Sequence, residues 1–322
     1  MKLTKISNNF TPINEGIFFG IDTETDEPTD LTVEIVDARN GQIVATQLLR
    51  SVTYAEVNIA PYVEQFSAYQ PSTHKFATIV EAPTASYYIR IGSELSESII
   101  LSVNQTAPTK SSIVSSMPNT RRISYGEGDE LLLLVDAGDT LTVDITTDMG
   151  DGSSLEYITE RGVASLFIST KEFSEETHSI NVEIARNGEL LGALCYHLIP
   201  SHKESVRLAW LSDLGSIERY TFPIVTKVER MTRKNTICTS NGREVVESSY
   251  ARNASLISRY EPKPIIEALA HIISSTKVWI EEEGKFTGIE VLSSELTHNL
   301  FGEPCCVELS IATPEGKGVM LW

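Results

Sequence analysis

The acidic run DTETDEPTD, residues 22–30, comes closest in this chain to a ligand set for a metal ion. Asp22, Glu24 and Asp26 alternate, as the first oxygen ligands of a calcium-binding loop do. Such a loop needs glycine at its sixth position and glutamate at its twelfth, where this sequence has Glu27 and Val33. The run therefore predicts a solvated loop between two strands and no metal site.

The adjacent cysteines, Cys305 and Cys306, are the next candidates for chemistry. In PCCVELSIA, residues 304–312, every second position from Cys305 onward is apolar, which is typical of a half-buried strand. A reactive thiol needs positively charged surroundings, and Glu303 and Glu308 provide the opposite. We therefore predict that Cys305 is a small buried apolar side chain and that Cys306 is half-exposed.

Motifs for the common catalytic reactions are absent from the sequence. YGEGDE lacks the spacing and the lysine of a phosphate-binding loop, and neither a zinc-binding HExxH helix nor a nucleophile elbow is present. The nearest two of the six histidines, His197 and His202, straddle a strand end and a proline-containing break. We predict no catalytic, cofactor-binding or metal-binding residues, no cofactor, and a protein that is not an enzyme.

The charge of the chain bears on its partners. A formal net charge of -18 disfavours a nucleic-acid partner, which requires clustered lysine and arginine. Residues 1–105 carry 6 basic and 13 acidic groups, residues 106–203 carry 7 and 15, and residues 204–322 carry 13 and 16. Because the last part repels itself least, it is the part favoured to pack against other subunits.

Three Asn-Gly pairs, each between apolar-rich runs, dominate the local signals. They are Asn40-Gly41, Asn187-Gly188 and Asn241-Gly242, and each predicts a tight antiparallel hairpin. Further short apolar runs predict strands, among them GIFFGI, ATIVEA, SYYIRIG, SIILSV, ELLLLV, TLTVDIT and ASLFIS. Many short strands separated by turn residues are typical of antiparallel sandwiches.

Helical patterns are few. EPKPIIEALAHIISS places Ile265, Ile266, Leu269, Ile272 and Ile273 on one helical face, and TKVWIEEEGKFTGIEVL after it predicts a strand, a turn and a strand. APYVEQF, residues 60–66, predicts a shorter helical turn.

Two breaks divide the chain. Residues 104–120, rich in Ser, Thr and Pro, predict a linker or an extended crossover, and residues 199–205 form a shorter break. We therefore predict a mainly β protein of three domains: an immunoglobulin-like antiparallel β-sandwich over 1–105, a second over 106–203 with an N-terminal linker, and an α+β domain with one main helix over 204–322.

LAWLSDLGSIERYTF, residues 208–222, is the most distinctive phrase. It predicts a strand with Leu208 and Trp210 on one face, a turn in which Gly215 has a positive φ, and a second strand. In that strand Glu218, Tyr220 and Phe222 face one way and Ile217, Arg219 and Thr221 the other. Core or interface residues are expected here, namely Trp210, Leu214, Gly215, Tyr220 and Phe222.

The same phrase resembles the N-S-L-G-x-x-(D/E)-x-x-x-F signature of virion structural proteins in phages and prophages of Bacteroidetes. Residues 212–215, Ser-Asp-Leu-Gly, stand where that family has Asn-Ser-Leu-Gly, with Glu218 at the acidic and Phe222 at the aromatic position. TYAEVNIAPYVEQF resembles the family's first-domain segment, and residues 252–298 resemble its last-domain core. Order and spacing agree over most of residues 50–310, but the side-chain roles at Ser212 and Asp213 do not carry over.

The resemblance implies a tail-associated virion component that works by assembly. Its expected partners are other virion proteins or itself as a homo-oligomer, without nucleic acid and without a membrane span. The opening MKLTKISNNFTPINEG lacks the apolar run of a signal peptide, so we expect synthesis in the bacterial cytoplasm and later residence in a particle. The alternative is a bacterial adhesin or carbohydrate-binding β-sandwich protein, and an enzyme is the third hypothesis.

Overall fold

The computed structural model describes residues 1–9, 11, 13–63, 71–82, 85–101, 112–160, 162–239, 242–293 and 305–313. These residues are mainly β, and their strands pair antiparallel everywhere except between two strands of one sheet. Within them no helix has the length and apolar character needed to cross a bilayer.

Residues 1–101 form the first group of strands and one helical turn. The elements are β1 (Lys2–Lys5), β2 (Phe18–Asp22), β3 (Thr29–Asp37), β4 (Ile43–Val52), β5 (Tyr54–Asn58), α1 (Ala60–Val63), β6 (Thr78–Glu81), β7 (Ser86–Ile91), β8 (Glu94–Leu95) and β9 (Ile99–Ile100). One sheet has the order β1-β2-β5 and the other β4-β3-β7-β8, with β9 also beside β7. Apolar side chains from both sheets, including Phe19, Ile35 and Tyr87, are fully buried in one core.

Residues 112–199 form a sandwich of two sheets. Its strands are β10 (Ser112–Val114), β11 (Thr120–Ser124), β12 (Gly128–Leu134), β13 (Thr140–Thr147), β14 (Gly152–Ile158), β15 (Val163–Ser169), β16 (Ser179–Arg186) and β17 (Glu189–Ile199). The orders are β10-β12-β15-β6 and β11-β17-β16-β13-β14, and β11 pairs with β17 in parallel. The two sheets pack on alternating apolar positions of β12, β13 and β16, as the sheets of a β-sandwich do.

One strand of this sandwich comes from the preceding part of the chain. β6 lies within the region 1–105 of the sequence-based division, yet it pairs antiparallel with β15, from Ala164 opposite Glu81 to Phe167 opposite Thr78. Alternation alone could not show which of two nearby sheets a short strand joins.

Residues 206–313 form a sheet with one helix. The elements are β18 (Val206–Leu211), β19 (Ile217–Phe222), β20 (Ile224–Thr239), β21 (Gly242–Ile257), α2 (Lys263–Ser274), β22 (Val278–Glu282), β23 (Lys285–Val291) and β24 (Glu308–Thr313). The order is β19-β18-β22-β23-β24-β21-β20. Because Pro223 alone separates β19 from β20, which stand at the two ends of this order, the sheet curls back on itself.

The main helix and two of the three hairpins form as predicted. α2 follows Pro262, carries Pro264 in its first turn, and buries Ile266 and Leu269 against the curled sheet. β3 pairs with β4 and β16 with β17 across their Asn-Gly turns, and Asn187 (φ 50°) and Gly188 (φ 83°) have the two positive angles of a tight hairpin. β20 pairs with β21 up to Thr239 opposite Gly242, while Asn241 lies outside the described residues.

The shorter helical turn predicted over residues 60–66 is present as α1 over Ala60–Val63, and residues 64–66 lie outside the described ranges. The linker alternative for residues 104–120 is wrong for the described part, 112–120. There the chain forms β10 in one sheet and crosses to β11 in the other, and Ser115 and Ser116 bond to Glu218. The sequence there shows little periodicity because the chain forms only short strands as it crosses from one sheet to the other.

Candidate functional site

The phrase LAWLSDLGSIERYTF forms the hairpin β18–β19. Gly215 has a φ of 81°, in the left-handed region that favours glycine, and its N–H donates to the Ser212 carbonyl at 2.9 Å. The Ser212 hydroxyl accepts bonds from the N–H groups of Leu214 and Ser216, each at 3.3 Å. Serine and glycine therefore shape the turn locally, and Gly215 has the positive φ that the sequence predicted.

The three aromatic side chains of the hairpin lie in their own core. Trp210 and Phe222 are fully buried and Tyr220 is 6% exposed, in one apolar cluster with α2. The Tyr220 and Phe222 rings meet edge to face, 5.0 Å between centroids, and the Tyr220 hydroxyl donates to Glu261 at 3.0 Å. Leu214 instead packs, partly buried, on a small separate cluster with Val114.

The other face of the hairpin carries arginines that reach the sandwich of residues 112–199. Arg207 bonds Glu127 at 2.8 Å and Glu281 at 3.1 Å, and it donates to the Gly128 carbonyl. Since Glu127 and Gly128 lie at the start of β12, Arg207 joins the hairpin to the neighbouring sandwich.

Arg219 makes the second connection. It donates to Glu130 at 2.9 Å and to the Ser72 carbonyl at 2.6 Å. Its guanidinium also lies between two rings, 5.5 Å from the centroid of Phe167 and 5.7 Å from that of Phe286. One ring belongs to β15 and the other to β23, so a single cation contacts both sheets.

A third arginine completes the contact from the sandwich side. Arg121 is 3% exposed and bonds Asp129 at 2.8 Å, and Asp129 also accepts from the Tyr196 hydroxyl at 3.0 Å. Glu218 of the hairpin lies 3.8 Å from Arg121 and accepts from the Ser216 hydroxyl at 2.6 Å. We call this set the junction cluster; its members are Arg121, Glu127, Asp129, Glu130, Arg207, Glu218, Arg219 and Glu281.

Burial governs the electrostatics of the junction cluster. Three guanidinium groups face five carboxylates, so the cluster holds an excess of acid. Desolvation raises the pKa of Glu218, and the attraction of Arg121 offsets only part of that rise. Burial also raises the pKa of the Tyr196 hydroxyl well above its usual value. Glu218 therefore takes up a proton more readily than an exposed glutamate does.

A cleft of about 550 Å³ opens beside the turn, between residues 115–118, the turn and α2. In it His271 Nδ1 lies 2.6 Å from the Asp213 carboxylate. A histidine oriented by a carboxylate supplies two of the three members of a catalytic triad, and the third is a nucleophilic hydroxyl or thiol. Among the described residues, however, the hydrogen bonds of His271 include none from its other ring nitrogen to a hydroxyl or thiol.

The remaining candidates from the sequence lie apart from the junction. The run 22–30 is largely exposed between β2 and β3, with Asp22 accepting from the Glu24 N–H at 2.8 Å. Cys305 packs half-buried on the core that α2 covers, and Cys306 is also half-buried. Within the described ranges, no three or more His, Cys, Asp or Glu side chains are arranged so that they could hold a metal ion.

The hairpin β20–β21 is the most extended feature. Near its base, Arg252–Ile257 pairs with β24, but over residues 231–239 and 242–251 the two strands pair, within the described ranges, only with each other. Ten residues of strand reach about 30 Å. Val228, Ile237 and Val245 are each more than two-fifths exposed on it.

Sequence reasoning found the aromatic half of the site and missed the charged half. Alternation along β19 placed Arg219 and Tyr220 on different faces of the strand, but it could not show that both faces of the hairpin are buried. The available signal was Glu218 and Arg219, two opposite charges inside a strand otherwise typical of a core.

Comparisons with known proteins find similarity only among solved structures. Neither a family model nor a curated protein matches the chain. Among solved structures, a tetra-tandem repeat from the extending region of a large adhesion protein is 10% identical, with 80% of this chain and 70% of that chain covered and a TM-score of 0.21. A three-immunoglobulin-domain structure of titin is 9% identical, with 97% and 86% covered and a TM-score of 0.19. The chicken interferon gamma receptor alpha chain is 10% identical, with 62% and 98% covered and a TM-score of 0.19.

Proposed function

We propose that this chain is a non-enzymatic assembly subunit of a phage or prophage particle, tail- or baseplate-associated, that acts through protein–protein contacts. The observation that carries the proposal is the long hairpin β20–β21, whose outer part is paired only with itself in the described chain. A two-stranded ribbon is marginally stable alone in water, so its length is best explained by a partner that covers it.

We propose that the chain is organised as three domains that are rigidly connected. Three large apolar clusters support it, one within residues 17–101, one centred on 123–198 and one centred on 206–311. The junction cluster connects the second to the third by ion pairs that are largely buried. A subunit that transmits load in a particle benefits from such a rigid connection.

The resemblance to phage structural proteins supports the particle as the setting. Its three segments correspond to the strand and turn β5–α1, the hairpin β18–β19, and the run from the end of β21 through α2 to β23. Each contributes buried residues to a core, as a fold signature does.

The experiment is to induce the host's prophages, purify particles on a density gradient and measure the chain by quantitative mass spectrometry. The proposal predicts a fixed copy number per particle, co-sedimenting with the major structural proteins. Absence from the particles would refute it, and reproducible hits on a glycan array would favour the adhesin alternative.

A further inference from the structure

The hairpin β20–β21 differs in charge from the chain that bears it. Residues 224–257 carry six basic and three acidic groups, a net of +3, of which the outer part, residues 231–251, contributes three basic and two acidic groups, a net of +1. The rest of the chain carries 20 basic and 41 acidic groups, a net of -21. A cationic projection on an anionic body is attracted to the bodies of other copies of the same chain.

A matching surface exists on the sandwich of residues 112–199. On the outward side of the sheet β11-β17-β16-β13-β14, Asp144 lies directly opposite Glu183, and both are exposed. Glu156 of β14 is also exposed and pairs with Thr142, two positions along β13 from Asp144. We call Asp144, Glu156 and Glu183 the acidic face.

The carboxylate groups of the acidic face repel one another. Like charges directly opposite on neighbouring strands destabilise a sheet, and within the described ranges neither Asp144 nor Glu183 forms an ion pair. The nearest arginine on β16, Arg186, is engaged with Asp136 and Asp139 instead. A cation from outside the chain would remove this cost.

Apolar groups accompany the charges on both surfaces. Val245 of the hairpin is 52% exposed and lies two positions along β21 from the exposed cation Arg243, on the same face of the ribbon. Ile158, at the end of the edge strand β14, is 61% exposed. An interface of this kind needs apolar contact at its centre and opposite charges around it.

We propose that the hairpin β20–β21 of one chain docks on the acidic face of a second copy. This inference rests on the proposed function, since it names the partner of the same hairpin. The contact joins two different surfaces, so it builds a ring or a filament when repeated around or along an axis.

The test uses two charge-reversed forms of the full chain, with light scattering during gel filtration as the readout. One form carries Lys234→Glu and Arg243→Glu on the hairpin, and the other carries Asp144→Lys and Glu183→Lys on the acidic face. All four side chains are exposed, so folding is retained, and circular dichroism checks it. A control form carries Lys75→Glu and Lys203→Glu, two exposed reversals away from both surfaces.

The proposal predicts that wild type and the control form associate at low salt. Each charge-reversed form alone should be monomeric, with an apparent dissociation constant raised at least about tenfold. An equimolar mixture of the two should associate again, because each reversed hairpin then meets a reversed face. Raising the salt should dissociate the wild type.

Two results would overturn the proposal. One is a wild type that stays monomeric at low salt, and the other is a mixture that fails to associate when wild type does. A monomeric chain that is still found in particles would remove only this inference and leave the proposed function standing. A self-associating chain that is absent from particles would do the reverse.

Discussion

At the scale of single residues, the phrase 208–222 combines two tasks that are usually separate. Its aromatic side chains fill a core, while the charged residues between them fasten the hairpin to another sheet. Alternation along a strand makes this division possible, because neighbouring residues point to opposite faces. Substitutions in the phrase should therefore act on stability through distinct physical causes.

The first prediction concerns the turn. Gly215→Ala should lower the free energy of unfolding by about 1–2 kcal/mol, because φ of 81° forces alanine into the left-handed region. The matched control is Gly288→Ala in β23, where an added methyl group meets nothing within 4 Å and φ is not positive. Urea denaturation compares the two. Equal effects would mean that the turn places no demand on its glycine.

The second prediction concerns the proton on Glu218. Its pKa in the folded chain is raised above 4.5 by burial, so the folded state holds the proton more tightly than the unfolded state. The stability this gives is full below about pH 4.5 and is lost as pH rises through the folded pKa. The advantage of wild type over Glu218→Gln should therefore shrink as the pH rises from 4 to 7.

Denaturation of both proteins at several pH values measures this difference. Glu97→Gln, which removes an exposed carboxylate, is the control, and it should change stability by less than about 0.5 kcal/mol. A Glu218→Gln difference that grows with pH would mean that the folded state binds this proton less tightly than the unfolded state does.

At the scale of elements, the junction cluster joins β19 to β12 and β18 to β22. Buried ion pairs are not automatically stabilising, since both charges lose their water. Removing one partner is costly in every case, because the other charge is left buried and uncompensated. The cluster therefore acts mainly by fixing how the hairpin lies on the sandwich.

A double-mutant cycle on Arg219 and Glu130 tests this role. Arg219→Met should cost about 3–5 kcal/mol, while Arg219→Met with Glu130→Gln should cost less than the two single changes added together. The comparison pair is Arg90 and Glu34, which are about one-third exposed and 2.6 Å apart, with an expected coupling of about 1 kcal/mol or less. Additive effects at Arg219 and Glu130 would mean that the pair does not couple the two elements.

Sequence reasoning predicted the elements whose signals are local. Asn187-Gly188 identifies its own turn, and Ile265 to Ile272 identify their own helix, because the relevant contacts lie within a few residues. The site depends on contacts between distant segments, such as Arg219 with Ser72, 147 positions apart. Periodicity does not encode which sheet lies against a strand, so β6 and the junction cluster could not be placed in advance.

For the molecule as a whole, the net charge and the projecting hairpin both lead us to expect assembly through specific contacts. A chain of net charge -18 resists non-specific association, so its contacts must be directed ones. The positively charged hairpin favours binding to an acidic surface. The buried junction cluster keeps the sandwich of residues 112–199 fixed relative to the hairpin's base. Rigid bodies joined through one projecting ribbon are suited to repeated assembly.

Whether this chain assembles is decided by its molar mass, measured by light scattering on the full chain at several protein concentrations in low salt. An assembly subunit should rise from the monomer mass of 35.5 kDa to a multiple of it as concentration increases, or form defined larger species with its particle proteins. A mass of 35.5 kDa at every concentration, both alone and with purified particle proteins, would contradict the account.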